Sequence, residues 1–204
     1  MKMDVLIAGV GGQGNLFASE VISRYAMGRG YNILGTETIG AAQRGGSVIS
    51  HIRISEGQIH SPLIPRGQAD ILLGFEPLEM LRHIERLSPQ GRYLLNIYKI
   101  PTVMCNMGLD RYPSDREIEQ AITSLGVEGH MVPATERAYE IGNAVLANVV
   151  MLGALCALSP FFDHGTMSEV LAEVAPERAL ELNLAAFVDG FALLESRERR
   201  DASG

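Results

Sequence analysis

Three glycines, Gly9-x-Gly11-x-x-Gly14, stand directly after the apolar run at residues 4–8 (DVLIA) and directly before a segment of helical periodicity. In that context Gly9 permits a tight turn and Gly11 lets a phosphate approach the backbone. Gly14 allows close packing, while the first free N–H groups of the helix face outward. With Gly12 and Gln13 completing the loop, the chemistry on offer is the binding of an anion. A dinucleotide would also need an acidic residue near the end of the second strand for its ribose hydroxyls, and Glu37 stands there. The same loop is equally satisfied by packing alone, because a strand-to-helix turn in a doubly wound sheet demands glycine whether or not a ligand sits on it.

A second constellation follows at residues 37–46, Glu37-Thr38-Ile39-Gly40-Ala41-Ala42-Gln43-Arg44-Gly45-Gly46. Arg44 has small neighbours that leave its guanidinium accessible, so it is placed to grip an anion with two hydrogen bonds. An ion pair between Arg44 and Glu37 closing a surface loop accounts for the same residues. Both readings stay open on the residues alone.

Other reactive side chains fall into no working pattern. His51, His60, His83, His130 and His164 have no metal-ligand spacing with Cys, Asp or Glu. Ser47 opens a strand and lacks a Gly-x-Ser-x-Gly elbow, and no GxxxxGK[ST] loop is present. Cys105 and Cys156 read as small buried hydrophobes, and two cysteines cannot ligate an iron–sulfur cluster that needs four thiolates.

With 17 Lys+Arg against 24 Asp+Glu the net charge is −7, which argues against nucleic acid as the partner. Residues 144–158 (AVLANVVMLGALCAL) are apolar but shorter than the roughly 20 residues that span a bilayer, and Asn148 interrupts them. They read as a buried helix. Residues 1–8 show no basic, apolar and cleavage segments in series, so the expected location is the cytoplasm.

The elements that must hold these loops read as follows. Strands are expected at residues 4–8, 31–35, 70–75, 92–97 and 129–133, and helices at 15–29, 78–87 and 135–158 and from 177 to about 199. Ser114-Asp115-Arg116-Glu117 and Thr166-Met167-Ser168-Glu169 have capping-box spacing and start two more helices. Residues 36–46 read as loop, and residues 47–54 and 58–64 as a hairpin turning at Gly57. The outcome is a single domain over residues 1–204, a three-layer α/β/α fold with a Rossmann-like, mixed but mostly parallel sheet and C-terminal helices.

GVGGQG at residues 9–14, ETIGAAQRGGSVISHIRI at 37–54 and NAVLANVVMLGAL at 143–155 together resemble the gamma-type subunits of 2-oxoacid:ferredoxin oxidoreductases, in particular the indolepyruvate branch. The likeness covers residues 3–191. It implies membership of a complex that oxidatively decarboxylates an aryl 2-oxoacid to its acyl-CoA and reduces ferredoxin. Thiamine diphosphate and the iron–sulfur clusters would lie on a large partner subunit, and the chain alone would be inactive. The resemblance also implies that Gly9, Gly11, Gly12, Gln13, Gly14, Glu37, Thr38, Gln43, Arg44, Gly45 and Gly46 face the active-site entrance. There they would help hold coenzyme A, with Arg44 as the anion contact. The rival reading is a free-standing NAD(P)- or nucleotide-binding protein. A third is a structural or regulatory relative without an enzyme partner.

Overall fold

The structure, a computed structural model, describes residues 1–40, 46–124 and 126–201. One six-stranded sheet runs through the molecule in the order β2-β3-β1-β4-β5-β6. Its strands are β1 (Lys2–Val10), β2 (Asn32–Ile39), β3 (Ser47–Ser55), β4 (Ala69–Gly74), β5 (Leu87–Asn96) and β6 (Glu128–Val132). β1, β4, β5 and β6 are mutually parallel, while β3 lies antiparallel to both β1 and β2. Two reversals return β2 to the direction of β1. The ends of β1, β2, β4, β5 and β6, and the start of β3, therefore meet at one edge of the molecule.

The central strands are buried on both faces, as their uninterrupted apolar runs require. Val5, Ile7, Ile52, Ile54, Ile71 and Leu73 point into one core. α1 (Asn15–Gly28), α5 (Ala134–Ile141), α6 (Ala147–Leu158), α7 (His164–Val174) and α8 (Leu180–Asp201) cover it. The alternate residues Leu6, Ala8, Ile49 and Leu72 face a smaller core. That core is closed by Met80 of α2 (Pro77–His83) and by Ile118 and Ile122 of α4 (Asp115–Thr123). This is the expected three-layer arrangement. A short helix, α3 (Val103–Asn106), lies in the connection from β5 to α4 and has no counterpart in the sequence reading.

α6 is buried along almost its whole length, including Asn148. Its contact with α8 is very close: a Cβ at Gly153 would lie 1.9 Å from the Phe187 carbonyl oxygen, and one at Gly190 1.9 Å from that of Val150. The backbones of the two helices touch, which explains the small residues that made this stretch resemble a membrane segment.

Four expectations need correction. The hairpin is formed by β2 and β3, not by residues 47–54 and 58–64. β3 already has a neighbour on each side, and Pro62 and Pro65 deprive the following segment of ladder donors. Residues 36–39, read as loop, continue β2. The helix over residues 135–158 is two helices, because Gly142 adopts φ +142 and Asn143 then starts a new turn by accepting the Val145 N–H. α7 begins at His164 rather than at Thr166, since Asp163 caps it by accepting both the Thr166 N–H and hydroxyl. At Ser114 the capping box is present as read.

Candidate functional site

Both Gly-rich loops emerge at the shared edge, and a direct bond ties them: the Gly11 N–H donates to the Gly46 carbonyl at 2.8 Å. The second loop springs from the β2–β3 hairpin, whose last rung is the Gly40 N–H on the Ser47 carbonyl at 2.8 Å. Gln43 and Gly45, and Arg44 with its two readings, lie outside the described residues.

The first loop is held by its own side chain. Gln13 accepts the Val10 N–H at 2.8 Å and donates to the Phe75 carbonyl at 2.7 Å, so its amide braces the turn and pins it to the end of β4. Gly9 sits among Gln13, Asn15 and Phe75, where a Cβ would come within 3.0 Å of each. Gly14 takes φ +81, and a Cβ there would fall 2.0 Å from the Asn148 amide nitrogen of α6. Gly9 and Gly14 are thus demanded by packing, whereas Gly12, at φ +102, has open space in front of it. No side chain caps α1 and no acid stands in its first turn, which leaves its N-terminal dipole uncompensated by the described side chains.

Phe75 and the residues after it form the hub of this edge. The Phe75 carbonyl also accepts from Asn96 Nδ2 at 3.0 Å, and Asn96 bonds Thr135 at the start of α5 through both its amide nitrogen and its oxygen. Glu76 is 1% exposed, caps α2 by accepting the Glu79 N–H, and further accepts the Ile100 N–H and the Tyr112 hydroxyl. Burial pushes its carboxyl above the ordinary carboxylate range despite these three donors. Glu79, equally buried, receives the Ser47 hydroxyl at 2.5 Å and pairs with Arg82, anchoring the exit of the second loop.

Between the first loop and α5–α6 this framework encloses a crevice of about 300 Å³, reached by Gly12, Phe75, Tyr98, Tyr139, Val145 and Asn148 among others. It lies outside the carboxyl ends of the parallel strands, where open α/β sheets bind ligands. Tyr98 and Tyr139 stand side by side here, and their electrostatic interaction raises the Tyr98 phenol above its ordinary value.

Of the residues singled out in the sequence, Gly11, Gly12 and Gln13 reach the crevice, and Gly46 is joined to them. Glu37 does not stand at a strand end. It lies within β2 opposite Ser50, whose hydroxyl it accepts at 3.3 Å, and it lines a separate depression with Leu16 and Glu20 of α1. Thr38 is exposed on the same edge strand. Cys105 is only half-buried, contrary to expectation, because it sits in the exposed β5–α4 connection, while Cys156 is buried and its thiol is pushed up by that burial. Glu76, Glu79, Asn96, Tyr98 and Tyr139 were missed. The available signal was a polar residue directly after a buried strand, as in LLGFE and YLLN.

Known proteins share this fold. The family model described as pyruvate ferredoxin/flavodoxin oxidoreductase matches residues 4–193. The indolepyruvate oxidoreductase subunit IorB of Methanothermobacter thermautotrophicus is 35% identical over 94% of this chain and 97% of its own. Among solved structures, the gamma subunit of a keto/oxoacid ferredoxin oxidoreductase from Geobacter sulfurreducens superposes with a TM-score of 0.70 at 22% identity, over 95% of this chain and 99% of that one. A 2-oxoglutarate:ferredoxin oxidoreductase from Magnetococcus marinus, solved with 2-oxoglutarate, coenzyme A and succinyl-CoA, gives 0.73 at 22% identity over 96% of this chain and 31% of the longer one. The chain belongs to the pyruvate ferredoxin/flavodoxin oxidoreductase family. Its like among these proteins are subunits or portions of larger oxidoreductases.

Among the described residues no three His, Cys, Asp or Glu side chains are grouped to hold a metal, and no helix is long and apolar enough to cross a membrane.

Proposed function

We propose that this chain is the small subunit of an oxidoreductase that decarboxylates an aryl pyruvate such as indolepyruvate to its acyl-CoA and passes electrons to ferredoxin. The observation that carries the reading is the end-to-end match, 35% identical, to a subunit named for indolepyruvate. Thiamine diphosphate and the iron–sulfur clusters belong to a large partner in this reading. Cys105 and Cys156 lie on separate elements and supply too few thiolates for a cluster. The chain's own task is to present the braced edge to the partner, with Gly11, Gly12, Gly46 and Arg44 contacting coenzyme A beside the entrance. Gly9, Gln13 and Gly14 hold that loop in shape.

Co-expression with a cysteine-rich, thiamine-dependent large subunit tests the proposal. Expected are co-purification and reduction of ferredoxin that requires indolepyruvate, coenzyme A and both chains. A fully active large subunit without this chain would overturn it. Within the complex, Arg44→Ala is expected to raise the KM for coenzyme A at least tenfold, and unchanged constants would remove Arg44 from the site.

A further inference from the structure

We infer that the crevice between the first loop and α5–α6 binds the aromatic ring of an aryl-substituted acid or of its thioester. The inference rests on the proposed function for the origin of the ring, but the crevice and its chemistry stand on this chain. A space of about 300 Å³ is at the small end of ligand pockets and suits one ring system rather than a whole nucleotide. Its walls include Phe75, Ile100, Val145 and Met151, with the two tyrosine rings beside them. These are edge, face and sulfur contacts that aromatic rings favour.

Several of the polar side chains present already have partners. Asn96 is bonded to Phe75 and Thr135, and Gln13 to Val10 and Phe75, while Asn148 makes a 3.4 Å contact with the Gly14 carbonyl. A purine entering here would bury several ring nitrogens among side chains that mostly have their bonds already made, which disfavours it. Phenyl or indole brings at most one N–H. The chain of such a ligand has a way out past Gly12, where nothing lies within 4 Å of a would-be Cβ.

Saturation-transfer NMR on the full chain decides the matter, with indole-3-acetate, phenylacetate, indole-3-acetyl-CoA, coenzyme A and adenosine as probes. Transfer is expected to the ring protons of the three aryl compounds, with dissociation constants near 1 mM for the small acids. Adenosine is expected to bind at least tenfold more weakly. A stronger signal from the thioester than from the free acid assigns the crevice to the product, and the reverse assigns it to the acid. Ala144→Trp places a ring in the crevice and should abolish transfer with an unchanged melting temperature. Should that variant unfold, Tyr139→Ala is expected to weaken aryl binding at least threefold. No aryl signal at 10 mM, equal binding of adenosine, or binding unaffected in a folded Ala144→Trp variant overturns the inference. If the complex turns over indolepyruvate while the chain shows no aryl binding, only this inference falls. If the chain binds aryl acids but the complex does not use them, only the proposed function falls.

Discussion

The Gly11 N–H donates to the Gly46 carbonyl at 2.8 Å, so two loops separated by a helix and a strand share one hydrogen bond. Gln13 makes that bond possible by holding the turn open from beneath with an acceptor for Val10 and a donor for Phe75. Gln13→Ala removes both and is expected to cost about 1–3 kcal/mol. Gln13→Glu keeps the acceptor but sets a carboxylate against the Phe75 carbonyl, and its cost should be the larger. Urea unfolding of the two variants, with amide exchange at Val10 as the local readout, checks the order. A glutamate variant that costs less than the alanine one would mean that the Phe75 bond contributes little.

Gly14 is fixed twice, by φ +81 and by the Asn148 amide 2.0 Å from its would-be Cβ. Gly14→Ala should therefore destabilise by about 2–4 kcal/mol, combining a left-handed alanine with displacement of Asn148. Trimming the neighbour relieves only the second part, so Gly14→Ala combined with Asn148→Ala should lose less than the sum of the single losses. A double-mutant cycle in urea measures the difference. Gly28→Ala is the contrast: nothing lies within 4 Å and φ is not left-handed, so its stability should change by less than about 1 kcal/mol.

Tyr112 closes the β5–α4 connection onto the sheet by donating to Glu76 and accepting the Leu78 N–H. Tyr112→Phe leaves a carboxylate that is 1% exposed without one of its donors, at an expected cost of about 1–3 kcal/mol. Since burial already raises the Glu76 carboxyl, removing the donor raises it further. A raised carboxyl favours folding below its unfolded value, and that contribution is lost as pH rises through the folded value. The variant's deficit should hence be greatest at neutral pH and shrink in mild acid. Chemical denaturation at pH 7 and pH 5 tests this, and a constant deficit would show that Glu76 is not the group affected.

The layer structure was legible because its signals are local. DVLIA and DILLGF read as strands buried on both sides, and GVGGQG sits where β1 must turn into α1. The continuation of β2 through Thr36–Glu37–Thr38 was not legible, since those polar residues extend only because β3 lies opposite them. For the same reason the hairpin was assigned to the wrong partner strand. Half of the site was readable as glycine spacing. The other half, Phe75, Glu76, Asn96 and Tyr98, comes from the ends of β4 and β5 and acquires meaning only when the sheet order brings those ends beside the first loop. Glu37 shows the converse: a residue at suitable spacing that the hairpin turns toward Ser50 instead.

His51 is expected to make the fold sensitive to acid. It lies inside β3 at 2% exposure, where its Nδ1 accepts the Ile64 N–H at 3.1 Å, and that bond requires the neutral ring. Burial, reinforced by the positive charges of Arg86, His83 and Arg53, lowers its pKa to about 4 from an ordinary 6.5. A histidine lowered in this way supports the fold fully above 6.5, and the support drains away as pH falls from 6.5 toward 4. The shift of 6.5 − 4 = 2.5 units sets a ceiling of about 3 kcal/mol on the loss. His51→Asn keeps an acceptor for Ile64 and removes the titration. Its stability should be lower than wild type at pH 7.5 and nearly level with it at pH 4.5. His83, lowered mainly by burial as well, leaves a residual slope of the same sign. Urea midpoints across pH 4–8 measure the effect, and parallel curves for wild type and variant would show that His51 titrates outside this window.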